Sequence, residues 1–160
     1  MKTCLSLLLF CLAAVGVQAQ VRCALAAGPV GADGKLSAKL TVEIDPGWHI
    51  SSLTQPDGGP TRTEIGLAKD QPFKLAGPIT GPKPHVEPSA AFGVDVETHE
   101  GLVEFVLPLV ATQAVPAGTK LTVEITYQAC TDENCMLPET RQATATLGTK
   151  PPGAPPADSR

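Results

Sequence analysis

Residues 35–44 read KLSAKLTVEI, from Lys35 to Ile44. Leu36, Ala38, Leu40, Val42 and Ile44 fall on one side of an extended chain, and Ser37, Lys39, Thr41 and Glu43 fall on the other. A period of two with β-branched residues marks a half-buried strand, because successive Cβ atoms point to opposite faces. The same pattern returns in Lys120–Tyr127 (KLTVEITY), with Leu121, Val123, Ile125 and Tyr127 inward. Leu102–Val110 (LVEFVLPLV) is apolar and strand-like, and Pro108 is expected to push its end to an edge or a bulge. Thr140–Leu147 gives a weaker last strand; Trp48–Leu53, Thr61–Leu67 and Gln71–Leu75 are shorter candidates. Asp33-Gly34, Asp45-Pro46-Gly47, the run Pro56–Pro60 and Pro116-Ala117-Gly118 supply turns between them. No helical periodicity persists beyond two turns. With 16 prolines scattered among short strands, the expected class is an all-β sandwich.

Outside these strands the chain divides simply. A charged start at Lys2, an apolar run from Leu5 to Val17 and small residues around Ala19 describe a secretory signal peptide over 1–19. That run is shorter than the roughly 20 residues a membrane span needs. One β-sandwich domain is expected over 20–149, and a disordered Pro-rich tail over 150–160. Gly77–Ala91 (GPITGPKPHVEPSAA) reads as a long Pro-rich loop, a kind of segment that often carries function. The 12 Lys and Arg against 16 Asp and Glu give a net charge of −4. Without a basic stripe or an aromatic platform, nucleic acid is excluded as a partner, and so is attraction to an anionic membrane. After signal cleavage no direct membrane insertion is expected, and the domain is expected to be a monomer.

Of five cysteines, Cys4 and Cys11 lie in the signal, and Cys23, Cys130 and Cys135 remain. Three is odd, so at least one thiol is free or pairs with another molecule. Cys23 is the odd one, near an N-terminus expected to fray. A turn containing Asp132 and Asn134 can bring Cys130 and Cys135 within bridging distance. In a generic exported domain such a bridge reads as a staple. Closing a six-residue loop, however, contributes only about 2 kcal/mol, against about 4.7 kcal/mol for a hundred-residue loop. A local bridge can therefore open without dismantling a core, which makes a reversible role physically reasonable. Asp132, Glu133 and Glu139 around the pair, with Arg141 the only nearby cation in sequence, disfavour the thiolate. Such a pair suits exchange inside a docked complex. Two other readings stay open: a protein-binding module with a purely structural disulfide, and a copper carrier using Cys130, Cys135, Met136 and one of His49, His85 or His99. Trp48 reads as core or rim packing. Tyr127 is expected to pack beneath the cysteine loop with its hydroxyl bonded nearby.

The segment Tyr127-Gln128-Ala129-Cys130, with Cys135 and Pro138-Glu139-Thr140 after it, resembles the redox motif of the DsbD N-terminal domain family. Gly47-Trp48-His49-Ile50, Leu53-Thr54-Gln55-Pro56 and Gly58-Gly59-Pro60 resemble the first half of that family. Leu107-Pro108 and Gly118–Val123 fit its central strands, so the resemblance covers most of residues 30–148. It implies an immunoglobulin-like β-sandwich in the periplasm. It also implies thiol–disulfide exchange without a cofactor, by electron transfer from a membrane-embedded thiol reductase or a thioredoxin-like donor to periplasmic thioredoxin-like proteins. Those acceptors include disulfide isomerases and cytochrome c maturation thioredoxins. By position Cys135 is the cysteine that forms mixed disulfides, and Cys130 resolves them. The resemblance further implies a cap with an aromatic over the sulfurs, for which Phe92 is the nearest match, with Tyr127 and Pro138 as supporting residues. The chain departs from the family pattern in having four residues between its cysteines rather than five. Met136-Leu137 also stands where an aromatic–proline pair is usual. The domain is expected to take its reductant in trans or to serve a different relay.

Overall fold

The structure is a computed structural model describing residues 21–148. The signal peptide expected over 1–19 and the tail expected over 150–160 lie outside the described residues. In chain order the strands are β1 (Val21–Ala27), β2 (Lys35–Ile44), β3 (His49–Ser51), β4 (Glu64–Leu67), β5 (Phe73–Leu75), β6 (His85–Ser89), β7 (Val94–His99), β8 (Leu102–Ala111), β9 (Lys120–Tyr127), β10 (Ala129–Cys130) and β11 (Glu139–Thr146). No helix occurs among the described residues. All pairings are antiparallel. They build sheets of order β1-β2-β8-β5, β10-β3-β7-β6 and β11-β9-β4. This is the all-β, immunoglobulin-like β-sandwich that the sequence led us to expect.

The alternation that identified β2 and β9 also decides the core. Leu36, Ala38, Leu40, Val42 and Ile44 are buried, and so are Leu121, Val123, Ile125 and Tyr127. They join Val103, Phe105, Leu107 and Leu109 of β8 in one cluster that also takes in Ile50 and Ala129 from the second sheet. Each large apolar side chain removed from water there contributes about 1.5–3 kcal/mol.

Three expectations are corrected. Cys23 does not sit on a frayed end: β1 pairs with β2 along its whole length, and Cys23 lies opposite Val42. Val21, Cys23, Leu25 and Ala27 themselves alternate, and that signal was legible. Pro108 does not end its strand, which runs on to Ala111 between β2 and β5. Its carbonyl accepts from the Ala76 N–H (2.9 Å), just past the last residue of β5. The absent N–H therefore falls on an edge where the β5 ladder has already ended. Finally, Gly77–Ala91 is not a structureless loop, because its second half is β6, paired with β7 from His85↔Thr98 to Ser89↔Val94. Pro88 is tolerated because β6 is an edge strand. The connection turns at Gly93, whose φ of 71° lies in the left-handed region that glycine enters without strain.

The Pro- and Gly-rich connection after β3 is ordered by one buried amide. Gln55 Nε2 donates to Asp95 O (3.1 Å) and Pro56 O (3.3 Å), and its Oε1 accepts from the Glu97 N–H (2.8 Å). Arg62 Nε donates to the Gln55 carbonyl (2.9 Å). Gly59 lies so close to the Gln55 amide that a Cβ there would overlap Nε2. The connection is thereby fixed to β7 and presents Pro60 toward the cysteines.

Candidate functional site

The second sheet has two faces. Ile50, His99 and Ala129 are buried on one of them. On the other, period two aligns His85, Glu87 and Ser89 of β6, Val96 and Thr98 of β7, His49 of β3 and Cys130 of β10. This face is the floor of a hollow of about 790 Å³. The turn at Ala90–Phe92, the segment Thr131–Glu133 with Cys135, and Pro60 also line it.

β9 runs into Gln128, Ala129 and Cys130, and the chain then folds back on itself. Thr131 N–H donates to Asn134 O (2.8 Å), and Met136 N–H donates to Ala129 O (2.8 Å). Cys130 and Cys135 sit opposite each other between those two bonds, as a non-hydrogen-bonded antiparallel pair. In such pairs side chains approach most closely. The Cα atoms are 4.0 Å apart, and the sulfurs are joined at 2.03 Å. The turn is held by Thr131, whose Oγ1 accepts from the N–H groups of Glu133 (3.3 Å) and Asn134 (3.1 Å). A short polar side chain at the start of a turn commonly does this.

The two sulfurs have unequal access. Cys130, paired to His49 of β3, is 2% exposed, whereas Cys135 is exposed. The bridge thus joins an exposed outer residue to a buried inner one, and both line the hollow. Phe92, 46% exposed, lines the same hollow as both cysteines. Tyr127 and Pro138 are not among the residues lining it. Pro138 is exposed. Tyr127 is buried, and its hydroxyl accepts from Arg141 Nε (2.9 Å) and donates to Glu139 Oε2 (3.2 Å). Burial pushes the Tyr127 hydroxyl's pKa up, and the Arg141 charge pulls it part of the way back. Arg141 is therefore engaged on β11. It also acts on Cys23, whose half-buried thiol is raised by burial and lowered by that guanidinium.

Of the acids expected at the pair, Glu139 does not line the hollow but is bonded to Tyr127 and Arg141, and the other two are joined by two that sequence reasoning did not place there. Glu87 and Glu100 line the hollow together with Asp132 and Glu133. His85 Nε2 lies 2.7 Å from Glu87 Oε1. The three histidines divide: His49 and His85 face the cysteine hollow, whereas His99 is buried edge-on against Phe105, ring centroids 5.7 Å apart. Burial lowers the His99 pKa, opposed by the Glu97 carboxylate. Glu97 in turn accepts from Ser52 Oγ (2.5 Å) and Thr54 Oγ1 (2.5 Å), which hold its carboxyl below the usual range. Among the described residues no group of three or more His, Cys, Asp or Glu is arranged to hold a metal ion.

The model of the protein family described as "Thiol:disulfide interchange protein DsbD, N-terminal" matches residues 20–147. Among solved structures, the N-terminal domain of DsbD from Neisseria meningitidis, in the reduced form, is 15% identical with a TM-score of 0.47, over 76% of this chain and 83% of that one. The N-terminal periplasmic domain of ScsB from Proteus mirabilis is 21% identical with a TM-score of 0.56, over 81% of this chain. That likeness is one of fold, and the match spans 46% of the ScsB chain. No curated protein matches the sequence significantly.

Proposed function

The chain belongs to the DsbD N-terminal domain family, whose chemistry is thiol–disulfide exchange, and on that premise we propose that it carries electron pairs between thioredoxin-like proteins in the periplasm, with Cys135 as the exchanging sulfur and Cys130 as the resolving one. The observation that carries the assignment is the unequal exposure of the two residues: both line the hollow, Cys135 is exposed, and Cys130 is buried. An incoming thiolate must approach along the S–S axis, and the outer sulfur is the one it can reach.

In the reducing half-cycle a donor thiolate attacks Cys135 Sγ. The Cys130–Cys135 bond breaks, and Cys130 leaves as a thiolate that takes up a proton. The donor's second thiol then displaces Cys135, so the donor becomes a disulfide and the pair a dithiol, having gained two electrons and two protons. In the oxidising half-cycle Cys135 attacks an acceptor disulfide, Cys130 displaces the acceptor from Cys135, and the acceptor leaves as a dithiol. The donor is a membrane-embedded thiol reductase or a thioredoxin-like protein, the acceptors are thioredoxin-like periplasmic proteins, and the signal at 1–19 delivers the domain there. The protein supplies no cofactor to this scheme, only position and docking. Phe92 at the rim of the hollow caps the pair until a partner displaces it; Tyr127 and Pro138 support the cysteine hairpin from outside the hollow.

The test is trapping. A Cys130→Ser variant should accumulate a mixed disulfide between Cys135 and a thioredoxin-like partner, resolved on non-reducing gels and identified by mass spectrometry. A Cys135→Ser variant should accumulate far less. Equal trapping by both variants, or none by either, would reject the assignment.

A further inference from the structure

Exchange requires the two sulfurs to part and meet again, so something other than the S–S bond must keep Cys135 near Cys130 in the dithiol. The side chain placed to do this belongs to Gln128, half-buried at the junction of β9 and β10. Its Nε2 donates to the carbonyl of Met136 (2.9 Å), the residue directly after Cys135. Its Oε1 accepts from the Thr61 N–H (3.0 Å), directly after Pro60 in the wall of the hollow. Thr61 belongs to the connection fixed by Gln55 and by the bond from Arg62 to the Gln55 carbonyl. Both functions of one planar amide are therefore used. They tie the outer strand of the cysteine hairpin to a rigid support, independently of the sulfurs.

Resting on the exchange reading above, we propose that Gln128 is a positioning residue for resolution: a clasp that holds the Cys135 strand in register while the disulfide is open. In the mixed disulfide, Cys130 loses its proton and attacks Cys135 Sγ. The Cys130–Cys135 bond forms, the bond from Cys135 to the partner breaks, and the partner sulfur leaves as a thiolate and is protonated. The rate and equilibrium of that closure depend on how closely the strand confines Cys135 to the attacking geometry. In the oxidised protein the S–S bond supplies that confinement. In the dithiol it falls to the backbone bonds at Thr131 and Met136 and to Gln128. Losing the clasp frees the dithiol more than the disulfide, and the balance shifts toward the dithiol.

The experiment is a redox titration of the purified protein in buffers of reduced and oxidised glutathione. The dithiol fraction is read by alkylation and mass shift, for wild type, Gln128→Ala and Gln128→Glu. For each pair closed, one oxidised glutathione becomes two reduced ones, so the equilibrium quotient reads closure directly. The quotient should fall about five-fold in Gln128→Ala, the scale of one net hydrogen bond. It should fall at least as far in Gln128→Glu, which retains the acceptor for Thr61 but sets a carboxylate against the Met136 carbonyl. Thermal unfolding of the oxidised variants should stay near wild type, which a purely structural role would not predict. Should Gln128→Ala fail to fold, Gln128→Glu still gives the readout. A wild-type quotient retained within two-fold in the folded variants would overturn the clasp while leaving exchange intact. A wild-type pair inert to glutathione would overturn the exchange reading and the clasp with it.

Discussion

Reducing the Cys130–Cys135 bridge should weaken the domain without unfolding it. The two cysteines are five positions apart in sequence, so the bridge closes a six-residue loop, and its removal restores about 2 kcal/mol of unfolded-state entropy. Most of the core cluster comes from β2, β8 and β9, and of this hairpin only Ala129 joins it. The hairpin itself keeps the Thr131 and Met136 backbone bonds and the Gln128 contact to Met136 when the sulfurs part. A domain of this size has about 5–15 kcal/mol of stability, so most of it should survive. In melting temperature the loss corresponds to a drop of about 8 °C. The assay is thermal unfolding followed by circular dichroism, with and without dithiothreitol, repeated on a Cys130→Ser/Cys135→Ser double variant. A cooperative transition displaced downward by that order supports a bridge designed to open. Loss of the cooperative transition at room temperature, or a fall several times larger, would refute the reasoning and identify the bridge as a structural staple.

Phe92→Ala should leave stability within about 0.5 kcal/mol of wild type, as for most exposed positions, yet should speed reduction of the bridge by dithiothreitol several-fold, because Phe92 shares the hollow with both sulfurs. An unchanged rate, measured by stopped-flow quenching with acid, would deny it a capping role. Stability should also fall on mild acidification. Burial disfavours the His99 imidazolium, so the unfolded chain binds more protons once the pH drops below about 6.5; the contribution is fully present above that value and is lost as the pH falls toward the lowered folded-state value. Urea midpoints measured over about 2.5 pH units around the ordinary histidine value should show this slope in wild type and a shallower one in His99→Phe; parallel slopes would exclude His99.

The cysteine pair shows how far local pattern reaches. Its spacing and turn residues allow a bridge, and the two sulfurs are joined. The rest of the hollow was not legible, because Pro-rich composition concealed β6 and the alternation of His85, Glu87 and Ser89 has meaning only against a partner strand. Gln128 was visible as part of a motif, but nothing in its neighbours reveals that its amide spans from Met136 to Thr61.

By itself the sequence determined the strand faces, since the backbone alternates Cβ direction at every residue and the apolar positions of β2, β8 and β9 leave one choice of inward side. It also determined the class of fold and marked the two cysteines able to bridge. Only the tertiary structure decided which of the two cysteines is exposed. Cys130 is buried in β10, which pairs with β3, a strand from the opposite half of the chain, whereas Cys135 lies outside the sheet's strands and is exposed. Burial of this kind is set by contacts between distant segments, and a residue's own neighbours carry no record of them.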